Sequence, residues 1–253
     1  MIVRQHGKVD FKHNPHIAAD EFKLLTILHT ADLATPKPYY LDQSGIFASS
    51  CLVMEYIEGT SDFVPKPDPD RIEQMAAHLA QIRAVAIYGE LSFLPLQEKR
   101  VHSTLRDRPK TLDDSLDEGP IRDILDSVWP LPRHNASVLL HGDYWPGNIL
   151  WRDRQLAAVI DWEDAALGDP LADVGNTRLE LLWASGLEAM QHFTDHYRSL
   201  TSIDFAHLPY WDLCAALRPA SKIDTWGLDA ITEHRMRERH RVFITQAYEA
   251  LSD

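Results

Sequence analysis

The chain has 253 residues, with 38 Asp and Glu against 25 Lys and Arg, a formal charge of −13 and 45% hydrophobic residues. That balance describes a folded chain with a real core; it excludes disorder and collagen-like repetition, and no apolar run approaches the ~20 residues of a membrane helix. The acidic total opposes nucleic-acid binding, which draws on a positive field.

Two scattered cysteines, Cys51 and Cys214, make neither a disulfide framework nor a metal spacing and suit a reducing cytosol. Residues 1–6 lack the shape of a signal peptide. The expected compartment is cytoplasmic, with no membrane partner.

In chain order, Ile2–Gln5 reads as a short strand. Asn14 as cap, Pro15 at the first position, and Ile17, Glu21, Leu24, Leu25 and Leu28 at helical spacing predict the first helix. Pro38–Leu41 and the β-branched, aromatic run Cys51–Ile57 predict strands. Glu58–Pro69, rich in Pro, Gly and Asp, reads as a linker. Asp68 and Pro69 then open a helix whose stripe is Ile72, Met75, Ala76, Leu79 and Ile82. Residues 89–120 lack a pattern and read mostly as loop, followed by a short helix over 120–128. Val138–Leu140 predicts a strand and Asn148–Trp162 a hairpin. After Asp169 and Pro170 the rest reads as helical.

The stretch His141-Gly142-Asp143-Tyr144-Trp145-Pro146-Gly147-Asn148, followed by Ile160-Asp161-Trp162-Glu163, carries the chemistry. A hairpin pairing symmetrically about Arg154 and Gln155 would set Asn148 opposite Asp161, with Cβ atoms ~5 Å apart. Asp143 lies on the loop entering the same end. Three oxygen-bearing side chains there suit a hard cation such as Mg²⁺, which takes one or two carboxylate-type ligands and fills its octahedron with phosphates and water. Asp161 would hold the metal, Asn148 would add a neutral oxygen, and Asp143 would accept a proton from an attacking hydroxyl. That division of labour belongs to phosphoryl transfer.

His141 reads as a hydrogen-bonder orienting the loop, and Asp173 as an acid bonding backbone around it. Glu163 and Asp164 divide evenly between facing a cationic acceptor and a solvated loop. Trp183, Trp211 and Trp226 read as helix-packing aromatics, with an acceptor pocket as the sharper alternative. His192 and His196 have zinc-like spacing without an acidic partner and read as a surface pair.

His141-Gly142-Asp143, with Asn148 five positions on and Asp161 thirteen further, resembles the motif of the aminoglycoside phosphotransferase and choline kinase families, small-molecule kinases with a protein-kinase-like fold. Gly168–Asp173 continues the resemblance. It implies an α+β, two-lobed fold, with a truncated N-terminal α/β lobe over 1–60 ending in a hinge and a mainly helical C-lobe over 61–253. It implies Asp143 as catalytic base, Asn148 and Asp161 as Mg²⁺ ligands, and an adenine edge read by the backbone of Glu55, Tyr56 and Ile57. Glu21 matches the acid that pairs with a phosphate-binding lysine, whose place is taken by Arg4. The implied function is ATP-dependent transfer of the γ-phosphate to a hydroxyl of a small molecule: an aminoglycoside, a choline-like alcohol or another metabolite. Two strands and a phosphate-covering turn normally precede the lysine strand, and only Met1–Val3 precede Arg4. That departure motivates the alternative of a catalytically silent binding protein.

Overall fold

The computed structural model describes residues 1–44, 49–61, 68–86 and 89–252, and for Val9 and His13 the backbone alone. Three antiparallel strands open the chain, β1 (Ile2–Gln5), β2 (Pro38–Asp42) and β3 (Cys51–Met54), with β3 between the other two. A short helix, α1 (Lys8–His13), was not foreseen; α2 (Ile17–Thr30) was, but it starts at Ile17. Asn14 serves the turn before it instead, its Oδ1 accepting from the His16 N–H at 2.9 Å. Leu24, Leu25 and Leu28 of α2 are buried together with Leu52 and Met54 of β3. Burial of that kind is worth roughly 2 kcal/mol per large aliphatic side chain.

The strand expected to reach Ile57 stops at Met54. Beyond it the Glu55 N–H still bonds the Lys37 carbonyl at 2.9 Å. Thr60 then pairs with Trp151 as an antiparallel bridge, stitching this segment to the second half of the chain. Of the expected linker, residues 62–67 lie outside the described residues.

The second half is mainly helical. Helix α3 (Pro69–Arg83) forms as the stripe predicts, with Ile72, Met75, Ala76, Leu79 and Ile82 buried. Asp68 stands at its N-cap position without a side-chain capping bond; its carboxylate meets Arg154 at 3.3 Å instead. The region expected as loop holds α4 (Gln97–Arg106), a correction with a plain cause: only Val101 and Leu105 are buried, so the helix shows no stripe. Helix α5 (Glu118–Val128) begins two residues before Pro120. Buried Glu118 draws it back, accepting from Arg122 Nε at 2.9 Å and from the Asp113 N–H at 2.8 Å.

Two small antiparallel sheets carry the central loops. β4 (Val138–Leu140) pairs with β7 (Ala166–Gly168), and β5 (Ile149–Arg152) with β6 (Gln155–Val159). Asp173 and Thr177 tie α6 (Leu171–Ser185) to the loop after β4, and the helix is buried nearly all round, as one at the centre of a bundle must be. It is packed by α7 (Leu187–Leu200), α8 (Leu208–Ala216) and α9 (Ala230–Ser252). Among the described residues no helix is long and apolar enough to cross a membrane.

Candidate active site

Strand β4 delivers His141 and Asp143 through a turn that only glycine fits. Gly142 has φ +83°, and a Cβ there would lie 2.0 Å from the Asp164 carbonyl oxygen. From the first turn of α6, Asp173 accepts the N–H groups of His141 (2.7 Å) and Gly142 (2.9 Å), as its place in the sequence suggested. Burial pushes the Asp173 carboxyl up to about 6, against those two bonds. The His141 Nδ1 accepts the Asp143 N–H at 3.2 Å, which leaves Nε2–H to donate to the Ile160 carbonyl at 3.0 Å. Complete burial lowers this imidazole to about 4, so it is neutral at pH 7 and ties the loop to the end of β6.

Asn148 closes the same loop. Its Nδ2 donates to the Asp143 carbonyl at 2.9 Å and to the Asp143 Oδ2 at 3.1 Å. The other carboxylate oxygen accepts from Arg218 Nη2 at 2.6 Å. Arg218 Nη1 reaches the Gly142 carbonyl at 3.0 Å and Asn176 Oδ1 at 2.5 Å. The Asp143 carboxylate is thus held from two sides by residues far apart in the chain.

The hairpin register differs from the symmetric pairing. Its turn is Asp153-Arg154, both at positive φ, with Arg152 opposite Gln155 and an irregularity between Leu150 and Trp151. The Ile160 N–H therefore bonds the Asn148 carbonyl at 2.9 Å, and Asp161 lies one residue beyond that bond, at φ +69°. Its side chain is half-exposed, with Oδ1 2.5 Å from Arg4 Nη2.

Arg4 gathers three carboxylates: Asp161, Glu163 at 2.7 Å and Glu21 at 3.2 Å. Glu21 is buried and also bonds His6 at 2.7 Å. The Arg4–Glu21 pair expected from the resemblance is therefore formed across β1 and α2. Burial pulls the Arg4 guanidinium down, but Glu21 and Asp161 outweigh it and leave it raised. Burial and Asp161 push the Glu163 carboxyl up, with Arg4 pulling back. Glu163 thus faces Arg4, and its only sequence signal was an acid two positions past Asp161. Arg218 had none, since it comes from outside the motif.

Among the described residues no group of three or more His, Cys, Asp and Glu could hold a metal on its own. Asn148 and Asp161 are a different kind of set. With its amide nitrogen spent on Asp143, Asn148 has its oxygen left over, and Asp161 Oδ2 makes no bond among the described residues. Two hard oxygen donors from the protein, the rest from phosphate and water, match the coordination Mg²⁺ takes. His192 and His196 stack at 6.4 Å, with His192 on Glu73, as a surface pair.

At the junction of the two halves Tyr56 is exposed, and the backbone of Tyr56, Ile57 and Glu58 makes no hydrogen bond among the described residues. The Glu55 N–H is taken by Lys37. On the other side of the loop a cavity of about 590 Å³ reaches Asp143, walled by Trp145, Trp183, Trp226 and Met236. Trp211 packs elsewhere, edge-on to Trp129.

Comparison with solved structures defines the fold. An amicoumacin kinase in complex with AMP-PNP, Ca²⁺ and Ami aligns with a TM-score of 0.67 at 14% identity, over 93% of this chain and 79% of that one. The GDP complex of wild-type aminoglycoside 2′-phosphotransferase-IIIa aligns with a TM-score of 0.61 at 19% identity, over 95% and 82%. The macrolide 2′-phosphotransferase of Brachybacterium faecium aligns with a TM-score of 0.54 at 18% identity, over 94% and 82%. The fold is the two-lobed α+β protein-kinase-like fold. The profile of the phosphotransferase enzyme family matches residues 1–200, and the chain belongs to that family. Among curated proteins it is similar to Acyl-CoA dehydrogenase family member 11 of Rattus norvegicus, 24% identical over 233 residues. It is likewise similar to family member 10 of Mus musculus, 25% identical over 214 residues. It spans only 29% and 20% of the lengths of those two relatives.

Proposed function

We propose that this phosphotransferase moves the γ-phosphate of ATP to a hydroxyl group of a small molecule. Residues 1–60 form the nucleotide lobe, with the adenine edge on the open backbone after Glu55, and residues 61–253 supply the loop and the acceptor cavity. The AMP-PNP and GDP complexes among the structural neighbours favour a nucleotide between the lobes.

One observation carries the reading: the Asp143 carboxylate is fixed from both sides by Asn148 and Arg218 at the mouth of a large cavity. Each carboxylate oxygen keeps a lone pair beyond the bond it accepts. Asp143 orients the acceptor hydroxyl and takes its proton as the hydroxyl oxygen bonds to the γ-phosphorus and the bond to the ADP oxygen breaks. Arg4, held by Glu21, provides positive charge at the phosphates. Asn148 and Asp161 would hold Mg²⁺, which when bound neutralises triphosphate charge. A silent binding role finds no support here, since a binder has no chemical need of a carboxylate so held.

The test is transfer from Mg-ATP to a panel of hydroxyl compounds, followed by ³¹P NMR. Asp143→Ala should lower turnover by ~100-fold or more. Near-full turnover in that variant would remove Asp143 as the base.

A further inference from the structure

Next to the aromatic cavity lies a second one of about 180 Å³, behind Gly142 and lined by Arg100, Asn176, Trp211, Arg218 and Lys222. Its chemistry is one-sided. Three cations converge on it in a chain of charge −13. Arg100 meets no carboxylate at ion-pair distance among the described residues; its Nη1 donates to the Asp164 carbonyl at 2.6 Å. Lys222 is exposed and likewise without an acidic partner. Asn176 and Trp211 are each 3% exposed, yet Asn176 Nδ2 and Trp211 Nε1 have no acceptor among the described residues. Buried N–H groups are rarely left so. The acid in this wall, Asp173, already spends both oxygens on the His141 and Gly142 N–H groups. Gln97 closes the cavity with an Oε1 that has no partner among the described residues, and its amide can turn to present either end.

Asn176, Arg218 and Lys222 line both cavities, so the two adjoin at the residue that holds Asp143. We infer that the acceptor is an anion: its hydroxyl meets Asp143, its apolar body lies along Trp145, Trp183 and Trp226, and a carboxylate or phosphate on it seats between Arg100, Lys222 and the free N–H groups of Asn176 and Trp211. In the smaller cavity, cations and donors without a free acid select an oxyanion and repel a cation; Glu180 lines the larger cavity, away from Arg100 and Trp211. The inference rests on the phosphotransferase reading of Asp143, but it is read out by binding alone.

Calorimetry on the full chain without nucleotide would compare 4-(hydroxymethyl)benzoate with 4-(hydroxymethyl)benzamide, which differ only in the charged end. The acid should bind at least tenfold more tightly. Lys222→Gln and Arg100→Gln should each shrink that preference to threefold or less, and Trp211→Phe should weaken the acid while leaving the amide unchanged. Lys222 is exposed, so its variant keeps the test intact should the Arg100 variant not fold. Phenyl phosphate and inorganic phosphate as competitors identify which oxyanion the cavity prefers. Equal binding of acid and amide, a preference that survives both charge removals, or tighter binding of kanamycin would each overturn the inference. Transfer of phosphate to neutral alcohols without any anion preference would reject the subsite and keep the kinase reading. An anion preference without transfer to any compound would do the reverse.

Discussion

Arg4 is the residue on which the two halves of the molecule converge. Its guanidinium reaches Glu21 through Nε and Asp161 and Glu163 through Nη2. A forked, planar cation can serve several carboxylates at once, whereas an ammonium is a single point. Removing it leaves Glu21, nearly fully buried, with His6 alone. Arg4→Gln should therefore cost about 2–3 kcal/mol, at or just below the lower end of the range for breaking a fully buried pair because Arg4 itself is partly exposed. Arg4→Lys should cost less than half of that. Urea unfolding of the two variants measures the gap, and equal losses would show that the charge retained by lysine contributes nothing at this position and that only the fork matters.

Among the elements, the β5–β6 hairpin shows what sequence could and could not convey. Alternation and a polar turn announced two strands, and the five-residue step from Asp143 to Asn148 is local enough to be read directly. The register was not. Two residues at positive φ, Asp153 at 51° and Arg154 at 65°, make the turn, and a later irregularity shifts the pairing again. Such slips carry no compositional mark, yet each moves the facing residue by one. Helix α4 escaped for the opposite reason: it buries two residues of ten and reads as polar all round. Arg100 on α4, and Arg218 beyond α8, reach the site only through packing, so no spacing in the sequence points to them. The hairpin also offers a test. A left-handed arginine is strained where glycine is not, and the ion pairs of Arg154 with Asp68 and Asp70 are exposed at 3.3 and 3.4 Å. At a salt concentration that screens those pairs, Arg154→Gly should stabilise the fold by about 1 kcal/mol, seen as a higher urea midpoint. A lower midpoint at high salt would mean the turn carries no strain.

At the scale of the whole molecule, the buried ionisable groups set how stability responds to pH. Burial holds His78, His141 and His240 down to about 4, from an ordinary 6.5. Between those values the unfolded chain takes up protons that the folded chain refuses. The stability these groups contribute is complete above 6.5 and is lost as pH falls toward 4. Burial acts in the opposite sense on Asp173 and Asp212, raised to about 6, and on Glu180, raised to about 7. There the folded chain keeps protons that the unfolded chain has released, so stability falls as pH rises from 4 through those values. The two sets offset each other between pH 4 and 6, and removing one histidine exposes the imbalance. His78 is the choice, because it lies outside the loop, stacks parallel to the Tyr144 ring at 6.5 Å and has neither ring nitrogen bonded among the described residues. In His78→Phe one proton fewer is taken up on unfolding across this range. The gain in unfolding free energy from pH 5 to pH 6 should then be smaller than in the parent chain by about 1 kcal/mol, one titrating group acting over one pH unit. Urea unfolding at the two pH values decides it. An unchanged difference would mean that His78 titrates alike in the folded and unfolded chains.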